Sequence, residues 1–495
     1  MRVPFGEWLP DQPALGNPGM VRLVNAYPRV SSYTAANALS PITTPLATTC
    51  LGGFTARDKD DNTYTFAADA THLYQLAGTT WTDVSRAGGY TTTSQERWYF
   101  AQFGEQVIAT NFTSPPQVIA LGAANFADLG GAPPFARYIT VIRGFVVLAG
   151  TYDATDGNRP QRVRWSGIEN PTLWDYDPVN MSDWQDLVGE GGWNMGVVGG
   201  EFGLIFQERQ IWRMSFVGSP NIFQFDLVEK NRGTPAPGSI AAVGRMVFYL
   251  AEDGFYVTDG SGSQPIGVNR VDRTFLADAD QSYYWMISSA VDPARKMVYW
   301  IYCGAGHSGI PNKMLVYNWA AQRWGNSEQR LEYLFPAFSA GAGANLIDGT
   351  TLGPTNMDTG PYAQTPIDSR LFADGRLILA GFNPSHEFGH FYGPALPATL
   401  ETTEVELNPG FMTLINRVLP MVDGASGSTA ITGAVAYRHR QEDLLSGYGN
   451  SYAAQPTGWI GLRKHARYHR FQMQVTGGFD NALGFSVEGT RMGIR

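Results

Sequence analysis

MVFYLAEDGFYVTDGSGSQPIG, Met246 to Gly267, is the stretch on which the reading of this chain turns. Two runs of strand-forming apolar residues flank Asp253-Gly254, a dipeptide favoured in two-residue hairpin loops. A Gly/Ser-rich turn and a short closing piece follow. Such a hairpin cannot bury its apolar face by itself. The pattern returns as YTFAADATHLYQLAGTTWTDVS (Tyr64 to Ser85) and QVIATNFTSPPQVIALGAANFADLG (Gln106 to Gly130). It returns again as EFGLIFQERQIWRMSFVGSPNIFQFDLV (Glu201 to Val228) and MVYWIYCGAGHSGIPNKMLVYNWAAQRWG (Met297 to Gly325). Weaker copies begin near Phe145 and Arg376. Imperfect repeats starting roughly 40–50 residues apart, each with two to four short strands, predict an all-β fold, a β-propeller of about six or seven blades. A propeller is a platform, so function has to be argued from its surfaces.

At 495 residues the chain exceeds one ordinary core, a limit that a repeat array escapes. Apolar residues make up 43 %, which excludes a disordered chain. Charged residues are only 16 %, against a usual share of about 25 %. Few charges, 57 Gly, 30 Pro and many aromatics fit short strands joined by frequent turns. They also fit subunits that bury much surface against each other. The net charge of −9 argues against a protein that clamps DNA by neutralising phosphates. It is compatible with a wall past which DNA slides, since acidic groups repel phosphate. Cys50 and Cys303 have no metal-site spacing and are expected as buried thiols. The N-terminus lacks a signal-peptide apolar core, and the longest apolar stretch, Arg137 to Leu148, is too short to span a bilayer. The expectation is synthesis in a cytoplasm, with no membrane-spanning segment.

Three regions are expected. Residues 1–49, dense in Pro and Gly, read as an extended N-terminal arm. Residues 50–393 read as the propeller, with loop insertions near 153–195 and 338–367. The first insertion carries Trp165, Trp174, Trp184 and Trp193; the second is nearly all Gly, Thr, Ala, Asn and Asp. Residues 394–495 read as an additional C-terminal β module, because TLETTEVEL, AVAYRHR, WIGLRKHARYHRFQMQV and LGFSVEGTRMGI alternate as strands do. This last region carries nine Lys+Arg against eight Asp+Glu, so the acidic excess lies in the first 393 residues.

Several local patterns invite chemistry. His386-Glu387-Phe388-Gly389-His390 matches H-E-x-x-H, which binds zinc when both His share one helix face. Asn383-Pro384 before it, Gly389 inside it and Gly393-Pro394 after it exclude such a helix, so a polar hairpin is expected. LRKHARYHR, Leu462 to Arg470, is the one basic cluster. On a single strand Arg463, His465, Arg467 and His469 would share one face, with Lys464 and Arg470 on the other. These six residues are the candidates for contact with DNA or with an acidic partner; a solvated strand face is the plain alternative. Asp58, Asp60 and Asp61, and Glu252 with Asp253, are paired carboxylates, the raw material of a glycosidase. Gly78-Thr79-Thr80-Trp81 matches the end of an Asp-box, but Tyr74 and Leu76 stand where its Ser and Asp belong. No G-x-S-x-G elbow and no phosphate-binding G-x-x-x-x-G-K-[ST] loop occurs.

Four blocks carry a resemblance: LVNAYPRV (Leu23 to Val30), RVRWSGIENPTLWD (Arg162 to Asp175), IFQERQIWRMSFVGSPNIFQFD (Ile205 to Asp226) and GRMVFYLAEDGFYVTDG (Gly244 to Gly260). FYGPALPATLET and the stretch at Arg417, Arg417-Val418-Leu419-Pro420, follow the same pattern. The chain resembles the packaged-DNA stabilisation proteins of short-tailed bacteriophages, also called tail nozzle or hub proteins. The resemblance implies a structural virion protein of the tail and not an enzyme, without cofactor or metal. It implies a hexameric ring below the portal and adaptor proteins. It implies a conduit for double-stranded DNA without sequence specificity, and a platform for tail needle, fibre or spike proteins. The alternative from another class is a glycan-binding or glycan-cleaving propeller of a phage tail.

Overall fold

The computed structural model describes residues 1–93, 95–339, 375–425 and 429–493; the second expected insertion, 338–367, lies almost wholly outside them. Among the described residues, six four-stranded antiparallel sheets and one four-stranded stretch of a ten-stranded sheet follow one another along the chain as blades. Blade 1 is Gly52–Arg57, Thr63–Ala68, Leu73–Ala77 and Thr80–Asp83. Blade 2 is Tyr99–Phe103, Gln106–Thr110, Gln117–Ala120 and Ala127–Asp128. Blade 3 is Phe135–Ile142, Phe145–Asp153, Gly157–Trp165 and Asp183–Asp186. Blade 4 is Asn194–Val198, Gly203–Gln207, Ile211–Gly218 and Ile222–Glu229. Blade 5 is Ala241–Val243, Met246–Ala251, Gly254–Thr258 and Ser263–Pro265. Blade 6 is Ser288–Asp292, Met297–Tyr302, Lys313–Asn318 and Arg323–Ser327. Blade 7 is Tyr333–Phe338, Leu377–Phe382 and Phe388–His390, and its outermost strand is Ser40–Pro41 from the N-terminal region.

Contacts between successive blades close the ring. Thr55 Oγ1 donates to Pro336 O (3.3 Å), joining blades 1 and 7. Arg57 N donates to Gln102 Oε1 (3.2 Å), and Thr110 Oγ1 to Ala136 O (2.6 Å). Ile142 bridges Gly200, and Ile240 lies so close to Gly196 that a Cβ there would sit 2.4 Å from its Cδ1. Ser289 Oγ donates to Ile240 O (3.2 Å), and Leu334 N to Ser288 Oγ (3.0 Å). The fold is therefore a seven-bladed β-propeller.

Position in the ring dictates the composition of each strand. The second strands, VIAT of blade 2, GLIFQ of blade 4 and MVYWIY of blade 6, are buried on both faces because neighbouring blades cover both. They are accordingly continuous apolar runs, as in any doubly covered sheet. The outermost strands TWTD, AD, DWQD and SQP of blades 1, 2, 3 and 5 are mostly exposed. Aromatic rings fill the wedge between blades 5 and 6: Phe255 lies 4.9 Å from Trp300 and 5.3 Å from Trp324. Each such buried side chain contributes roughly 1.5–3 kcal/mol. Trp300 Nε1 donates to Ser239 O (2.8 Å) and Trp324 Nε1 to Ile266 O (2.9 Å), so neither polar tip is stranded.

Residues 1–49 supply five strands: Arg2–Pro4, Met20–Val24, Ala26–Pro28, Tyr33–Ala35 and Ser40–Pro41. The first four join strands from beyond residue 397 or the edge of blade 6. Met20–Val24 pairs with Ala398–Thr402 in a sheet that continues through Tyr468–Thr476, Ala430–Arg438 and Tyr452–Ala453. Tyr33–Ala35 and Arg2–Pro4 pair with Asn481–Arg491, which continues through Thr413–Asp423 to Ile460–Ala466. Phe471, Met473 and Val475 of the first sheet share one core with Ile415, Val418, Ile460 and Phe485 of the second. Ala26–Pro28 pairs with Arg323–Ser327, the outer strand of blade 6, and with Tyr33–Ala35, so one sheet runs from the propeller into the C-terminal module. Tyr33, fully buried, accepts from Trp8 N (2.9 Å) and donates to Gly6 O (3.2 Å), while Arg323 stacks on its ring.

The hairpin of blade 5 turns one residue earlier than its sequence suggests. Glu252-Asp253 forms the loop, and Gly254 already pairs with Ala251. Gly254 is needed for another reason: at φ 141° a Cβ would lie 2.2 Å from the Asp272 carboxyl carbon. Asp272 is buried, and its Oδ1 accepts from Phe255 N (3.0 Å). Burial pushes its carboxyl up to about 7 from the ordinary 3.8. The folded chain thus keeps a proton that the unfolded chain releases, and this contribution to stability is lost as pH rises through about 7. Asp272→Asn removes the titration. Urea unfolding should show the wild-type advantage over this variant shrinking by about 2–3 kcal/mol from pH 5 to pH 8; a constant difference would refute the assignment.

Candidate functional site

The His-Glu motif lies on the outer hairpin of blade 7, between Leu377–Phe382 and Phe388–His390. Asn383 Oδ1 accepts from Ser385 N (2.9 Å) and Glu387 N (3.0 Å), which shapes the turn. His386 Nδ1 lies 2.8 Å from Glu332 Oε1, whose other oxygen accepts from Cys50 N (3.2 Å). His390 sits opposite Ser40 in the strand pair that closes the ring, and burial pushes its imidazole down to about 4. One His is in a turn and the other in a strand. Among the described residues no group of three or more His, Cys, Asp or Glu is disposed to hold a metal ion.

The paired carboxylates do not converge. Asp58, Asp60 and Asp61 occupy the turn after the innermost strand of blade 1. Glu252 and Asp253 occupy a turn between the second and third strands, which points to the opposite face of the disc. Asp58 Oδ1 accepts from Asp60 N and Asn62 N (both 2.9 Å), a turn-stabilising role. Trp81 at the Asp-box-like turn donates to Thr43 Oγ1 (3.2 Å) and packs on Phe382 and Phe388, against the closing blade.

The basic run does not form one strand face. Ile460–Ala466 belongs to one sheet of the module and Tyr468–Thr476 to the other, and the chain crosses between them at Arg467. Alternation restarts there because Ala466 and Tyr468 are both buried, each in its own sheet. Arg463 and His465 are exposed, and Lys464 lies over the Tyr437 ring at 5.6 Å. Arg467 pairs with Glu406 (2.5 Å), and Arg470 with Glu404 (3.3 Å), which also holds Arg438 (2.6 Å). The acids of TLETTEVEL therefore neutralise the second half of the run. His469 is buried among these groups. Burial first, then His465 and His439, push its imidazole down to about 4. The surface left for a partner is Arg463, Lys464 and His465, with His439 beside them at 6.0 Å between the His439 and His465 rings.

The reading of the sequence missed the propeller axis. Arg97 precedes the innermost strand of blade 2, and Trp285 precedes that of blade 6. The Arg97 guanidinium lies 5.1 Å over the Trp285 ring. Blades 2 and 6 are not neighbours, so the contact crosses the mouth of the axis. Tyr99 of blade 2 meets Tyr138 of blade 3 edge-on at 4.9 Å beside it. A charged residue directly before a strand, in Glu96-Arg97-Trp98-Tyr99, was the available signal. A second missed feature is a set of exposed apolar side chains: Tyr176, Val179, Trp184 and Val188 before, on and after the outermost strand of blade 3, and Trp193 directly before the innermost strand of blade 4. Trp165 and Trp174 from the same insertion are buried.

Among the described residues no helix is long and apolar enough to cross a membrane. No protein-family model and no curated protein sequence matches the chain. Among solved structures, the chain is similar to one described as "YCF48 bound to D1 peptide", with 10 % identity, a TM-score of 0.35, and 63 % of this chain and 88 % of that one covered. It is also similar to a chain of "Crystal Structure of Mitotic Checkpoint Complex", with 8 % identity, a TM-score of 0.38, and 74 % and 98 % covered.

The ion pairs and the free cations should separate in mutants. Glu404→Ala removes the carboxylate shared by Arg438 and Arg470 and should lower stability by about 3 kcal/mol. Arg463→Ala with Lys464→Ala should change it by less than about 0.5 kcal/mol. Equal losses in urea unfolding would contradict the division.

Proposed function

We propose that this chain is a structural subunit of the tail of a short-tailed bacteriophage. Six copies form a nozzle ring below the portal and adaptor. The ring retains packaged double-stranded DNA, conducts it during ejection and carries other tail parts such as needle, fibre or spike proteins. The sequence blocks of Leu23–Val30, 162–175, 205–226 and 244–260 support the family.

The observation that carries the assembly is the relation of two flanks. Exposed Tyr176, Val179, Trp184 and Val188 flank or lie on the outermost strand of blade 3, and the C-terminal module is joined to the outer strand of blade 6, across the disc. A subunit with different surfaces on opposite flanks makes heterologous contacts, and such contacts close into a ring when the rotation allows. Exposed Trp and Tyr are the residue types that core a permanent interface. On this reading DNA passes between copies. The propeller's own axis is crossed by the Arg97–Trp285 contact, whereas the major groove of a duplex alone is about 12 Å wide. The acidic excess of the first 393 residues suits a wall that does not hold phosphate.

Negative-stain imaging of the protein mixed with the portal–adaptor complex of the same particle should show six copies in a ring on the portal axis. The double variant Tyr176→Ser, Trp184→Ser should fold as the wild type does by circular dichroism and fail to complete the ring. Absence of any association by the wild-type protein would refute the nozzle reading.

A further inference from the structure

We propose that the mouth of the propeller axis, between Arg97, Trp285 and Tyr99, is a binding site for a carboxylate. This inference is independent of the phage reading. It starts from an unanswered charge: Nη1 and Nη2 of Arg97 are buried and have no hydrogen-bond partner among the described residues. Burying a guanidinium without partners costs several kcal/mol, so a site that keeps one there is expected to receive an anion. Burial is also the main influence lowering the proton affinity of this side chain.

The nearby acids are already committed. Glu332 holds His386 Nδ1 (2.8 Å) and Cys50 N (3.2 Å), and Glu96 holds Arg137 (2.5 Å). Neither comes within ion-pair distance of Arg97. The ring of Trp285 covers one face of the guanidinium, and its two terminal nitrogens are buried with no partner among the described residues. Two free terminal nitrogens on a planar edge match the two oxygens of a carboxylate. The surroundings favour a monoanion over a phosphate dianion. Arg137, a cation on the neighbouring blade, is held by Glu96 and stacked at 4.0 Å on Phe112, so the site offers one unit of positive charge. Its walls are aromatic: Tyr99, Tyr138 and Tyr333, of which Tyr99 and Tyr333 keep part of their surface open. An aromatic or otherwise apolar carboxylic acid fits these walls, as does the carboxylate of an acidic peptide.

Isothermal titration calorimetry on the full chain tests the site. The probes are benzoate, benzamide as its neutral counterpart, inorganic phosphate and a short peptide rich in Asp. Benzoate should bind and benzamide should not. Arg97→Met should weaken benzoate binding at least about tenfold, the worth of one charge-assisted hydrogen bond. Binding of the peptide with none of benzoate identifies a peptide carboxylate as the source and upholds the site. Arg97→Met removes an unpaired buried charge and should melt no lower than the wild type without ligand. If it fails to fold, Trp285→Leu, which keeps the cation but removes its platform, should weaken benzoate in its place. The proposal is overturned if neither carboxylate binds at about 10 mM, if phosphate binds as tightly as benzoate, or if the variants bind as the wild type does.

Discussion

The structure depends on where the backbone hydrogen bonds of residues 20–41 go. Met20–Val24 pairs with Ala398–Thr402, Ala26–Pro28 with blade 6, Tyr33–Ala35 with Asn481–Arg491, and Ser40–Pro41 with Phe388–His390. One short segment therefore caps the last blade, extends the sixth and completes both sheets of the C-terminal module. A blade with three strands would leave an open edge and an open ring. The module would lose an edge strand from each sheet. The segment makes these pairs with residues about 300 to 450 positions away, so its loop-closure entropy is recovered only when the chain is complete. Side chains reinforce the seam: Arg323 donates to Arg29 O (3.3 Å) and Val30 O (3.1 Å), and Asp11 accepts from Arg273 N (2.9 Å) and Thr274 N (2.8 Å).

This seam explains what could be read from the sequence. The repeat was legible because the second strand of most blades is packed on both faces and so is largely apolar, as in MVFYLA and MVYWIY. Each copy accordingly begins at a second strand. The innermost strands stayed hidden: GGFTAR, NMGVV and SSAVD are short, mix Gly, Ser, Thr and apolar residues, and share no pattern. The N-terminal strands are short, two to five residues, and interrupted by Pro and Gly, so nothing local distinguishes them from loop. Their partners are set by tertiary contact alone.

The candidate site was less legible than the fold. LRKHARYHR reads as one alternating strand, but a turn at Arg467 moves its second half to another sheet, where Glu404 and Glu406 await it. Charge in sequence was thus a poor guide to charge at the surface. His386-Glu387-Phe388-Gly389-His390 was read from its flanking Pro and Gly as a hairpin, which is where it lies. Arg97 escaped notice because a single Arg beside Trp and Tyr carries no motif. Only the ring geometry, which brings blades 2 and 6 together at the axis, gives it meaning. For the proposed nozzle, the same rigid disc presents an apolar rim on one flank and the stitched module on the other.

The central claim is that residues 20–41 weld the propeller and the C-terminal module into one cooperative unit. Native-state hydrogen exchange of the full chain in increasing denaturant measures it directly. The account predicts that the amides of Leu23, Ala35 and His390 exchange only through the same global opening as those of Tyr299 in blade 6 and Met473 in the module. Exchange of the Leu23 and Ala35 amides through a separate, lower-energy opening that leaves Tyr299 and Met473 protected would contradict it.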